Sequence, residues 1–403
     1  IFEFQKFTMK SIYQTNFNNQ KVLVRVDFNV PLSFDKKVTD NSRIVAAKKT
    51  INKIINDGGT AVLMSHLGRP KGNDPELSLS HIVKSVEDVL GKPVVFSKQT
   101  IGEATQQIIK NSKPGQIILL ENLRYHKEEE EGDNDFAKKL SKLGDSYVND
   151  AFGTAHRAHA STCVVAKFFT KNKFAGDLLL KEVDSIKKVI EDGQKPVLAI
   201  LGGAKVSSKI TIINNIIDKI DKLIIGGGMA FTFIKAQGGK IGGSICENDK
   251  LDLALSILEK AKQNKVEVCL PVDVLCANDF SNDAETQICP INQIPENWEG
   301  MDAGPESLEI FKKAIESSNT ILWNGPVGVF EMETFSKGTV AVGEFVSKST
   351  SSGAFSLVGG GDSVAAVKQF NFSNKVSYVS TGGGAMLESL EGKTLPGIKA
   401  LEQ

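Results

Sequence analysis

The amino-acid sequence predicts an α/β fold with two Rossmann-like domains, each a mainly parallel sheet with helices on both faces, joined by a linker helix. Three observations support this prediction. Short β-branched runs alternate with segments whose apolar residues recur at helical spacing, which is typical of parallel sheets covered by helices. The chain of 403 residues exceeds what one hydrophobic core usually serves. An amphipathic segment, DLLLKEVDSIKKVIED, separates two series of such runs.

In the first series, four apolar runs are predicted to form strands, and each run ends in polar residues. The strands are residues 21–27, 60–65, 116–122 and 146–150, with helices over 43–57, 80–90 and 136–143 and a hairpin-like segment over 32–39. Ligands of parallel sheets bind beyond the carboxyl ends of the strands. The polar residues that follow these strands are therefore candidate binding residues.

The predicted linker helix covers residues 177–192 and separates domains 1–176 and 193–390. The tail, residues 391–403, is expected to pack back on the first domain. In the second series, strands are predicted over 196–201, 222–227, 266–271, 320–323, 355–358 and 376–380. Most of these strands run into glycines, which would let a nucleotide-sized ligand lie against bare backbone.

Composition and charge argue against several classes of protein. The 48 basic and 48 acidic side chains cancel, so neither nucleic acid nor an anionic membrane is an expected partner. No apolar run approaches the ~20 residues needed to cross a bilayer, and residues 1–10 lack the pattern of a secretion signal. The five cysteines form no CxxC pair, which is typical of structural thiols in a reducing compartment. A cytoplasmic location is therefore expected.

The arginines are confined to the first half of the chain. All five of them, and all five histidines, lie between residues 25 and 159. Arginine suits bidentate contacts with carboxylate or phosphate, and lysine replaces it poorly there. A small anionic ligand is therefore expected on the first half. Arg25 is an exception, because its place in a strand predicts a buried side chain that needs a carboxylate partner.

The stretch FSLVGGGDSVAA, residues 355–366, is predicted to be a strand, a glycine turn and a helix that starts at Asp362 and Ser363. Glycine backbone and a helix N-terminus together bind anions. Asp362 would repel bound phosphates unless a cation lies between them, and Mg²⁺ commonly bridges carboxylates to substrate phosphates. The alternative is that the glycines only turn the chain and Asp362 caps the helix.

Common nucleotide-binding motifs do not fit the sequence. The Gly-Lys-Thr at 392–394 has Leu387 where a P-loop needs glycine, and the glycines at 359–361 have Val364 where a dinucleotide fingerprint ends. An NAD-dependent dehydrogenase on the same architecture is thereby disfavoured. A non-catalytic nucleotide-binding or scaffold protein is a second alternative, disfavoured because the charged positions are intact.

Lys205 and Lys209 open a predicted helix after a strand. Four residues apart, they share one helix face, where cations oppose the helix dipole unless an anion is bound. Together with the arginines of the first half, they predict phosphoryl transfer from a nucleotide on one domain to a small acid on the other, catalysed by positioning and charge neutralisation.

At these residues the sequence resembles the phosphoglycerate kinase family, and the resemblance runs from about Lys21 to the tail. Nine blocks carry it in chain order: KVLVRVDFNVPL, SHLGRPKG, LLENLRYHKEEE, VNDAFGTAHRAHAS, LGGAKVSSKI, GGGMAFTF, LWNGPVGVFE, GGGDS and STGGGA. The resemblance implies a monomer that transfers a phosphoryl group reversibly between ATP and the carboxylate of 3-phosphoglycerate. The products are 1,3-bisphosphoglycerate and ADP, Mg²⁺ is the cofactor, and two domains close about a hinge.

The resemblance also implies site residues. The phosphoglycerate site is implied at Asp27, Asn29, Arg43, His66, Arg69, Arg124 and Arg157. The nucleotide site is implied at Lys205, Lys209, Gly226, Gly227, Gly304, Asn324, Pro326, Glu331, Gly359, Gly360, Gly361, Asp362 and Ser363, with Glu331 at the ribose and Asp362 as the metal ligand. Arg43 and Lys205 would neutralise the transferring group, to which Gly382, Gly383 and Gly384 would present a second helix N-terminus.

Two positions depart from the family pattern. Ser363 replaces the usual threonine and keeps the hydroxyl, whereas Met386 stands where serine is common, beside the helix start near Thr381.

Other residues are expected to be structural. His81 and His126 are expected to be surface or packing residues, whereas His156 and His159 either touch substrate or orient the loop around Arg157. The run 128–131 is expected to be a solvated charge cluster. Met229, Phe231 and Phe233 are expected in the core rather than in a nucleotide wall.

Overall fold

The computed structural model describes residues 9–402. Most of residues 1–10, where the sequence shows no secretion signal, lie outside the described residues. The chain separates into two compact units. The described residues up to Val183 and from Thr394 onward form the first unit, and Asp184–Lys393 form the second. Within the described part of the chain, no helix is long and apolar enough to cross a membrane.

The first unit is built on a six-stranded sheet with every strand parallel. The strands are β1 (Lys21–Arg25), β2 (Thr60–Met64), β3 (Val94–Phe96), β4 (Ile117–Leu119), β5 (Ser146–Asn149) and β6 (Lys173–Ala175), in the order β3-β4-β2-β1-β5-β6. The sequence patterns did not predict β3 and β6. Both are edge strands of three residues, too short to show a period.

Helices cover this sheet and complete its core. They are α1 (Ser42–Asn56), α2 (Val83–Leu90), α3 (Glu103–Lys110), α4 (Lys127–Glu131) and α5 (Asn134–Ser141). In α1 the fully buried Ile44, Ile51 and Ile54 recur every three to seven residues and pack in one core cluster with strand residues such as Val24. That spacing is why the segment forms a helix with one apolar face.

The helix between the two series of strands, α6 (Asp177–Ile190), includes the division between the units. Its first turn is held from β5, because Asp150 Oδ1 accepts hydrogen bonds from the N–H groups of Leu178 at 2.9 Å and Leu179 at 3.3 Å. Gly176 precedes the helix, and a Cβ there would lie 2.1 Å from Asp150 Oδ1. The approach of strand end to helix start therefore requires glycine.

The second unit contains a six-stranded parallel sheet and two smaller sheets. Its strands are β7 (Val197–Leu201), β8 (Lys222–Ile225), β9 (Lys240–Ile241), β10 (Glu267–Cys269), β11 (Asp273–Ala277), β12 (Thr286–Pro290), β13 (Gln293–Ile294), β14 (Glu299–Ala303), β15 (Thr320–Asn324), β16 (Phe355–Val358) and β17 (Tyr378–Val379). The parallel sheet has the order β10-β8-β7-β15-β16-β17, and the predicted α/β class is confirmed. The antiparallel sheet β12-β11-β14 and the pair β13-β9 were not predicted.

Helices of the second unit connect these strands. They are α7 (Ile210–Ile216), α8 (Met229–Ala236), α9 (Leu251–Gln263), α10 (Pro305–Glu316), α11 (Lys337–Ser351), α12 (Gly361–Gln369) and α13 (Gly383–Leu390). The fully buried Trp323 of β15 lies in the main core, whose members include Phe311 of α10 and Val346 of α11.

The tail returns to the first unit through the short helix α14 (Pro396–Lys399). The N–H of Gly397 donates to the carbonyl of Ala155 at 2.8 Å, and Lys173 Nζ donates to the carbonyl of Ala400 at 2.8 Å. The tail is thereby tied to the loop after β5 and to β6.

We predict that Asp150 makes the stability of the protein depend on pH. Burial raises the pKa of Asp150 to about 7, although two backbone N–H groups oppose the rise. Because this pKa is higher in the folded than in the unfolded state, protonation of Asp150 stabilises the folded protein. That stabilisation is complete below pH ~4 and is lost as the pH rises to about 7. From pH 4 to pH 7, the urea midpoint of Asp150→Asn should therefore rise relative to wild type, by the equivalent of about 2–4 kcal/mol.

The matched control is Asp135→Asn, since Asp135 is exposed on α5. The difference between its urea midpoint and that of the wild type should stay constant across the same pH range. Parallel curves for Asp150→Asn as well would contradict the assignment.

Candidate active site

Polar residues of the first unit gather beyond the carboxyl ends of β1 and β2. Asp27 follows β1 and is buried, and Arg43 Nη1 forms an ion pair with Asp27 Oδ2. His66 follows β2, and its Nδ1 lies 4.0 Å from Asp27 Oδ1. Asn29 Oδ1 accepts a hydrogen bond from the N–H of Gly68 at 2.8 Å, which joins the two loops.

Electrostatics fix the charge states at this strand end. Burial raises the pKa of Asp27, but His66 in its protonated form, which exists only at acid pH, and the guanidinium groups of Arg43 and Arg25 more than offset that effect. The pKa of Asp27 therefore lies below its ordinary value. Burial and the charges of nearby arginines together lower the pKa of His66 to about 3, against the attraction of Asp27. Asp27 is therefore ionised and His66 neutral near pH 7, so the arginines supply the positive charge that holds Asp27.

Arg25 is 1% exposed, and its side chain lies under the site. Its Nη2 is 3.2 Å from His66 Nδ1, and its Nε donates to Ser161 Oγ at 2.8 Å. Ser161 Oγ in turn donates to Glu129 Oε1 at 2.5 Å. Burial raises the pKa of Glu129 above its ordinary value, and the charge of Arg25 and the hydrogen bonds from Ser161 offset only part of that rise. The carboxylate partner expected for Arg25 is thus reached through a serine hydroxyl.

The expectation that residues 128–131 form a solvated charge run is wrong for Glu129, which is 1% exposed. Helix α4 turns this side chain inward, where it accepts hydrogen bonds from both the N–H and the hydroxyl of Ser161. A run of four glutamates gives no sequence signal for which of them is buried, because the buried one is selected by the buried arginine on a strand.

Three further arginines belong to this region. Arg124 is anchored, since its Nη1 donates to the carbonyl of Gly68 at 2.7 Å and its Nε lies 3.1 Å from Glu130 Oε1. Arg69 and Arg157 are exposed, and among the described residues neither side chain has a hydrogen-bond or ion-pair partner. Burial lowers the pKa of the Arg124 guanidinium, and the charges of Arg25 and Arg157 lower it as well. Positive charge is therefore concentrated here without full compensation.

The remaining histidines differ in position. Burial and the arginines around it lower the pKa of His159 to about 4, and its Nδ1 lies 3.9 Å from Glu129 Oε1. His126 packs on Phe136 with ring centroids 4.9 Å apart, and His81 Nε2 lies 2.8 Å from the carbonyl oxygen of Pro75. His81 and His126 thus have packing and hydrogen-bonding roles outside the arginine cluster.

In the second unit, glycine loops follow the central strands β7, β8 and β15 and pack backbone against backbone. A Cβ on Gly202 would lie 2.0 Å from the carbonyl oxygen of Pro326, and a Cβ on Gly227 would lie 2.8 Å from the nitrogen of Gly203. The φ of 65° at Gly227 also favours glycine. These contacts leave no room for side chains between the loops.

Lys209 and Asn324 link two of these loops. Lys209 Nζ donates to Asn324 Oδ1, and Asn324 Nδ2 donates to the carbonyl of Gly359 at 2.9 Å. Burial lowers the pKa of Lys209, while the charge of Asp362 raises it. Ser363 is buried, and its hydroxyl accepts a hydrogen bond from the N–H of Gly325. Ser363, which replaces the family's usual threonine, therefore keeps a hydroxyl that accepts a hydrogen bond.

Two helix N-termini meet beside these loops. Helix α12 begins at Gly361, one residue before the predicted start, and α13 begins at Gly383. A Cβ on Gly383 would lie 3.6 Å from the nitrogen of Gly361. First-turn N–H groups lack partners within their helix, so the two ends together direct such donors toward one corner, as helix ends that bind anions do. Lys205 and Asp362 have exposed side chains that lack a described hydrogen-bond or ion-pair partner.

A cavity of about 430 Å³ lies among the loops of the second unit. Gly226, Gly227, Pro326, Glu331 and Asp362, all implied at the nucleotide site, line it. Its other walls include residues that sequence reasoning missed, and these come from the small antiparallel sheet and its loops: Val274, Phe280, Glu299, Gly300 and Met301. Their strands lack a clear alternation of apolar and polar residues, so the sequence pattern gave no signal that could have found them.

Several implied residues stand outside the lining of this cavity. Gly304 caps α10 against Asp273, whose carboxyl carbon would lie 2.3 Å from a Cβ at that position. Lys209, Asn324 and Gly359–Ser363, apart from Asp362, belong to the adjoining corner. Met229 and Phe233 are fully buried, whereas Phe231 is buried and also lines the cavity.

Met386 fills space under the glycine turn. Its side chain is fully buried, and its sulfur would lie 1.9 Å from a Cβ on Gly359. With methionine in place of the usual serine, an apolar side chain packs under the turn at Gly359. Helix α13 still begins at Gly383.

Among the described residues, no group of three or more His, Cys, Asp or Glu side chains could hold a metal ion by itself. Asp362 fits a different arrangement, in which an exposed carboxylate in the first turn of α12 would share a cation with bound phosphates.

Comparisons with known proteins identify relatives of this chain. Residues 12–393 match the family model described as "Phosphoglycerate kinase". The chain is 51% identical to a phosphoglycerate kinase of Porphyromonas gingivalis, covering 97% of this chain and 100% of that protein, and 48% identical to "Phosphoglycerate kinase 3, cytosolic" of Arabidopsis thaliana, covering 99% of each. The solved phosphoglycerate kinase of Coxiella burnetii superposes with a TM-score of 0.89 at 44% identity, covering 98% of each chain.

We predict that Gly359 and Met386 are energetically coupled. Gly359→Ala should destabilise the protein by about 1–3 kcal/mol, because the added methyl meets the Met386 sulfur in a packed core. In a Met386→Ala background the same change should cost less than about 0.5 kcal/mol, since the sulfur is gone. Urea unfolding of the two single variants and the double variant measures the coupling.

Gly361→Ala is the control in the same turn, because a Cβ there would meet nothing within 4 Å. It should be nearly neutral. Strict additivity of the Gly359 and Met386 changes would show that the contact carries no energy.

Proposed function

The chain belongs to the phosphoglycerate kinase family, and we propose that Arg43 in the first unit and Lys205 in the second carry the charge neutralisation of its reaction. The reaction is reversible phosphoryl transfer between ATP and 3-phosphoglycerate, giving ADP and 1,3-bisphosphoglycerate. One observation supports the residue assignment most directly. An incompletely compensated cluster of arginines lies on one unit, and a glycine-lined cavity beside two helix N-termini lies on the other.

The arginine cluster suits the acceptor. 3-Phosphoglycerate carries a phosphate and a carboxylate, and guanidinium groups bind both through paired N–H donors. The proposed binding residues are Asp27, Asn29, Arg43, His66, Arg69, Arg124 and Arg157. Arg69 and Arg157 are the exposed members without a described partner, so their donors are available to the substrate. Asp27 is ionised and would accept a hydrogen bond from the substrate hydroxyl.

The cavity and corner of the second unit suit a nucleotide. Gly226, Gly227 and Pro326 would face the nucleoside and Glu331 the ribose, while Gly304 would act through the wall behind the cavity. Lys209, Asn324, Gly359, Gly360, Gly361 and Ser363 would hold the phosphates, and Gly382, Gly383 and Gly384 would face the transferring group. The positive ends of α12 and α13 favour anions at this corner.

We propose Asp362 as the protein ligand of Mg²⁺. Its exposed carboxylate beside the phosphate corner provides an oxygen of the type that Mg²⁺ prefers, with the nucleotide phosphates supplying other ligands. When bound, the ion would neutralise phosphate charge. Lys209 would add a cation on the same side; burial lowers its pKa, and the charge of Asp362 offsets part of that shift.

In the transfer step, a carboxylate oxygen of 3-phosphoglycerate bonds to the γ-phosphorus as the bond from that phosphorus to the β-phosphate oxygen breaks. Positive groups that meet the transferring phosphoryl lower the barrier by stabilising the charge on its oxygens. Arg43 retains N–H donors beyond the one that pairs with Asp27, because a guanidinium has five. We propose that closure about α6 brings Arg43 and Lys205 to this group and excludes water.

We further propose that the enzyme acts as a monomer in the cytoplasm, without nucleic-acid or membrane partners. Equal numbers of acidic and basic residues, and the cytosolic name of the Arabidopsis relative, support this assignment. Sedimentation analysis and cell fractionation would test it.

A coupled assay tests the function itself. ADP formation from ATP should depend on 3-phosphoglycerate, and it should stop when Mg²⁺ is chelated. ADP formation at the same rate without 3-phosphoglycerate would contradict the proposal.

Replacing Arg157 by alanine should impair the use of 3-phosphoglycerate and spare the nucleotide. Loss of a charge-assisted pair of hydrogen bonds of ~1.5–3 kcal/mol corresponds to a roughly 10- to 100-fold higher KM for 3-phosphoglycerate. Steady-state kinetics measure both KM values. Lys110→Ala, at an exposed position on α3, should change neither. An unchanged KM and kcat for 3-phosphoglycerate in Arg157→Ala would remove Arg157 from the site.

Replacing Lys205 by alanine should lower kcat far more than it weakens ADP binding. A cation that contacts the transferring group is worth most in the transition state, and loss of such a donor lowers kcat on the order of a hundredfold. Single-turnover kinetics and calorimetry with ADP separate the two effects, with Lys262→Ala on α9 as the exposed control. Equal losses in kcat and ADP affinity would assign Lys205 to ground-state binding only.

Closure predicts a change in size. The radius of gyration from small-angle scattering should fall when ADP, Mg²⁺ and 3-phosphoglycerate are all present, and each substrate alone should produce less of the change. An unchanged scattering profile with both substrates bound would rule out closure.

A further inference from the structure

One acidic side chain in the nucleotide cavity has no role in the mechanism above. Four carboxylates line the cavity: Glu299, Asp302, Glu331 and Asp362. Asp302 is engaged, because its Oδ1 accepts from the N–H of Ala303 at 2.9 Å and its Oδ2 from the N–H of Gly338 at 2.7 Å. The proposed function places Glu331 at the ribose and Asp362 at the metal. Glu299 remains.

Glu299 is half-buried and has no described hydrogen-bond or ion-pair partner. It opens β14 opposite Ala277 of β11, and the register between these strands shifts at Leu275 and Cys276. The shift leaves Met301 without a pairing partner, and such bulges re-aim side chains beside binding sites. Both Glu299 and Met301 line the cavity.

Glu299 lines the side of the cavity that lies away from the proposed phosphate positions, which is where the base of a bound nucleotide would lie. Phosphates proposed at Gly359–Ser363 lie beside β16 of the parallel sheet, whereas Glu299 belongs to the separate antiparallel sheet. A nucleotide anchored at Asp362 extends along the cavity toward the walls formed by Phe231 and Val274. These apolar walls suit contact with the flat faces of a base. The carboxylate of Glu299 would then contact the edge of the base.

An ionised carboxylate is costly at this position without hydrogen-bond donors. Burial raises the pKa of Glu299, and the neighbouring charge of Asp279 raises it further. A ligand that brings N–H donors would relieve this cost. None of the described residues supplies them.

The two purines differ in what they offer a carboxylate. Guanine presents the N1–H and the 2-amino group side by side, so both carboxylate oxygens accept a hydrogen bond. Adenine presents its single 6-amino group between ring nitrogens that are acceptors, so the second carboxylate oxygen would face a lone pair. A bidentate pair of this kind gives discrimination of about tenfold or more.

We propose that Glu299 recognises the guanine edge, so that this enzyme binds and uses guanine nucleotides at least as well as adenine nucleotides. This inference rests on the proposed function for the location of the phosphates and therefore of the base. It adds a specificity residue to that site.

The test compares nucleotides and one variant. Calorimetry with GDP, ADP and IDP, in the absence of 3-phosphoglycerate, should show GDP binding at least as tightly as ADP and several-fold more tightly than IDP, which lacks the 2-amino group. In Glu299→Gln the amide N–H₂ would oppose the guanine donors and complement the adenine edge. The ratio of GDP to ADP affinity should therefore fall at least tenfold, and the ratio of kcat/KM for GTP and ATP should follow it.

Glu296→Gln, at an exposed position outside this cavity, is the control and should leave both ratios unchanged. A wild-type preference for ADP over GDP would overturn the proposal, as would a ratio that changes less than tenfold in Glu299→Gln. If GDP binding followed the prediction while no nucleotide supported turnover with 3-phosphoglycerate, the proposed function would fail and the base selectivity would stand. The GDP and IDP comparison in the unmodified enzyme needs no variant to fold.

Discussion

Parallel pairing of strands is the constraint on which the rest of the structure depends. Because every strand of each six-stranded sheet runs the same way, the residues that follow the strands emerge at one edge. Asp27 and His66 are far apart in sequence, yet they come together because β1 and β2 are neighbours in register. The glycine loops after β7 and β15 meet for the same reason.

Each unit holds positively charged side chains in place through hydrogen bonds. In the first unit Ser161 accepts a hydrogen bond from the buried Arg25 and donates one to the buried Glu129. Glu129 thereby partly balances the charge of Arg25. The exposed Arg157 lacks such compensation. In the second unit Lys209 is held by the neutral side-chain oxygen of Asn324, which orients the ammonium without cancelling its charge. Unbalanced positive charge in the first unit, and the lysines and helix N-termini beside the cavity of the second, favour anionic ligands.

Close backbone approach sets the shape of the second unit's site. Glycines at 202 and 227 allow loops to touch where any side chain would collide. Bulky residues then fill the space behind: Met386 lies under the turn at Gly359, and Asp302 sits against Gly328 and Gly338. The cavity is thus bounded by backbone on one side and by a separate antiparallel sheet on the other, and the carboxylate of Glu299 lies at the second boundary.

The sequence by itself determined the α/β class, the family and a helix between two series of strands, predicted over 177–192 and found at Asp177–Ile190. Hydrophobic period and contiguous motifs are local properties of the chain. Only the tertiary structure decided the rest. Burial of Glu129 within an acidic run depends on Arg25, which lies about a hundred residues earlier. The edge strands β3 and β6 and the sheet that carries Glu299 are too short or irregular to show a period, and they exist because neighbouring strands accept their hydrogen bonds. Long-range contacts of this kind leave no mark in the local pattern of residues.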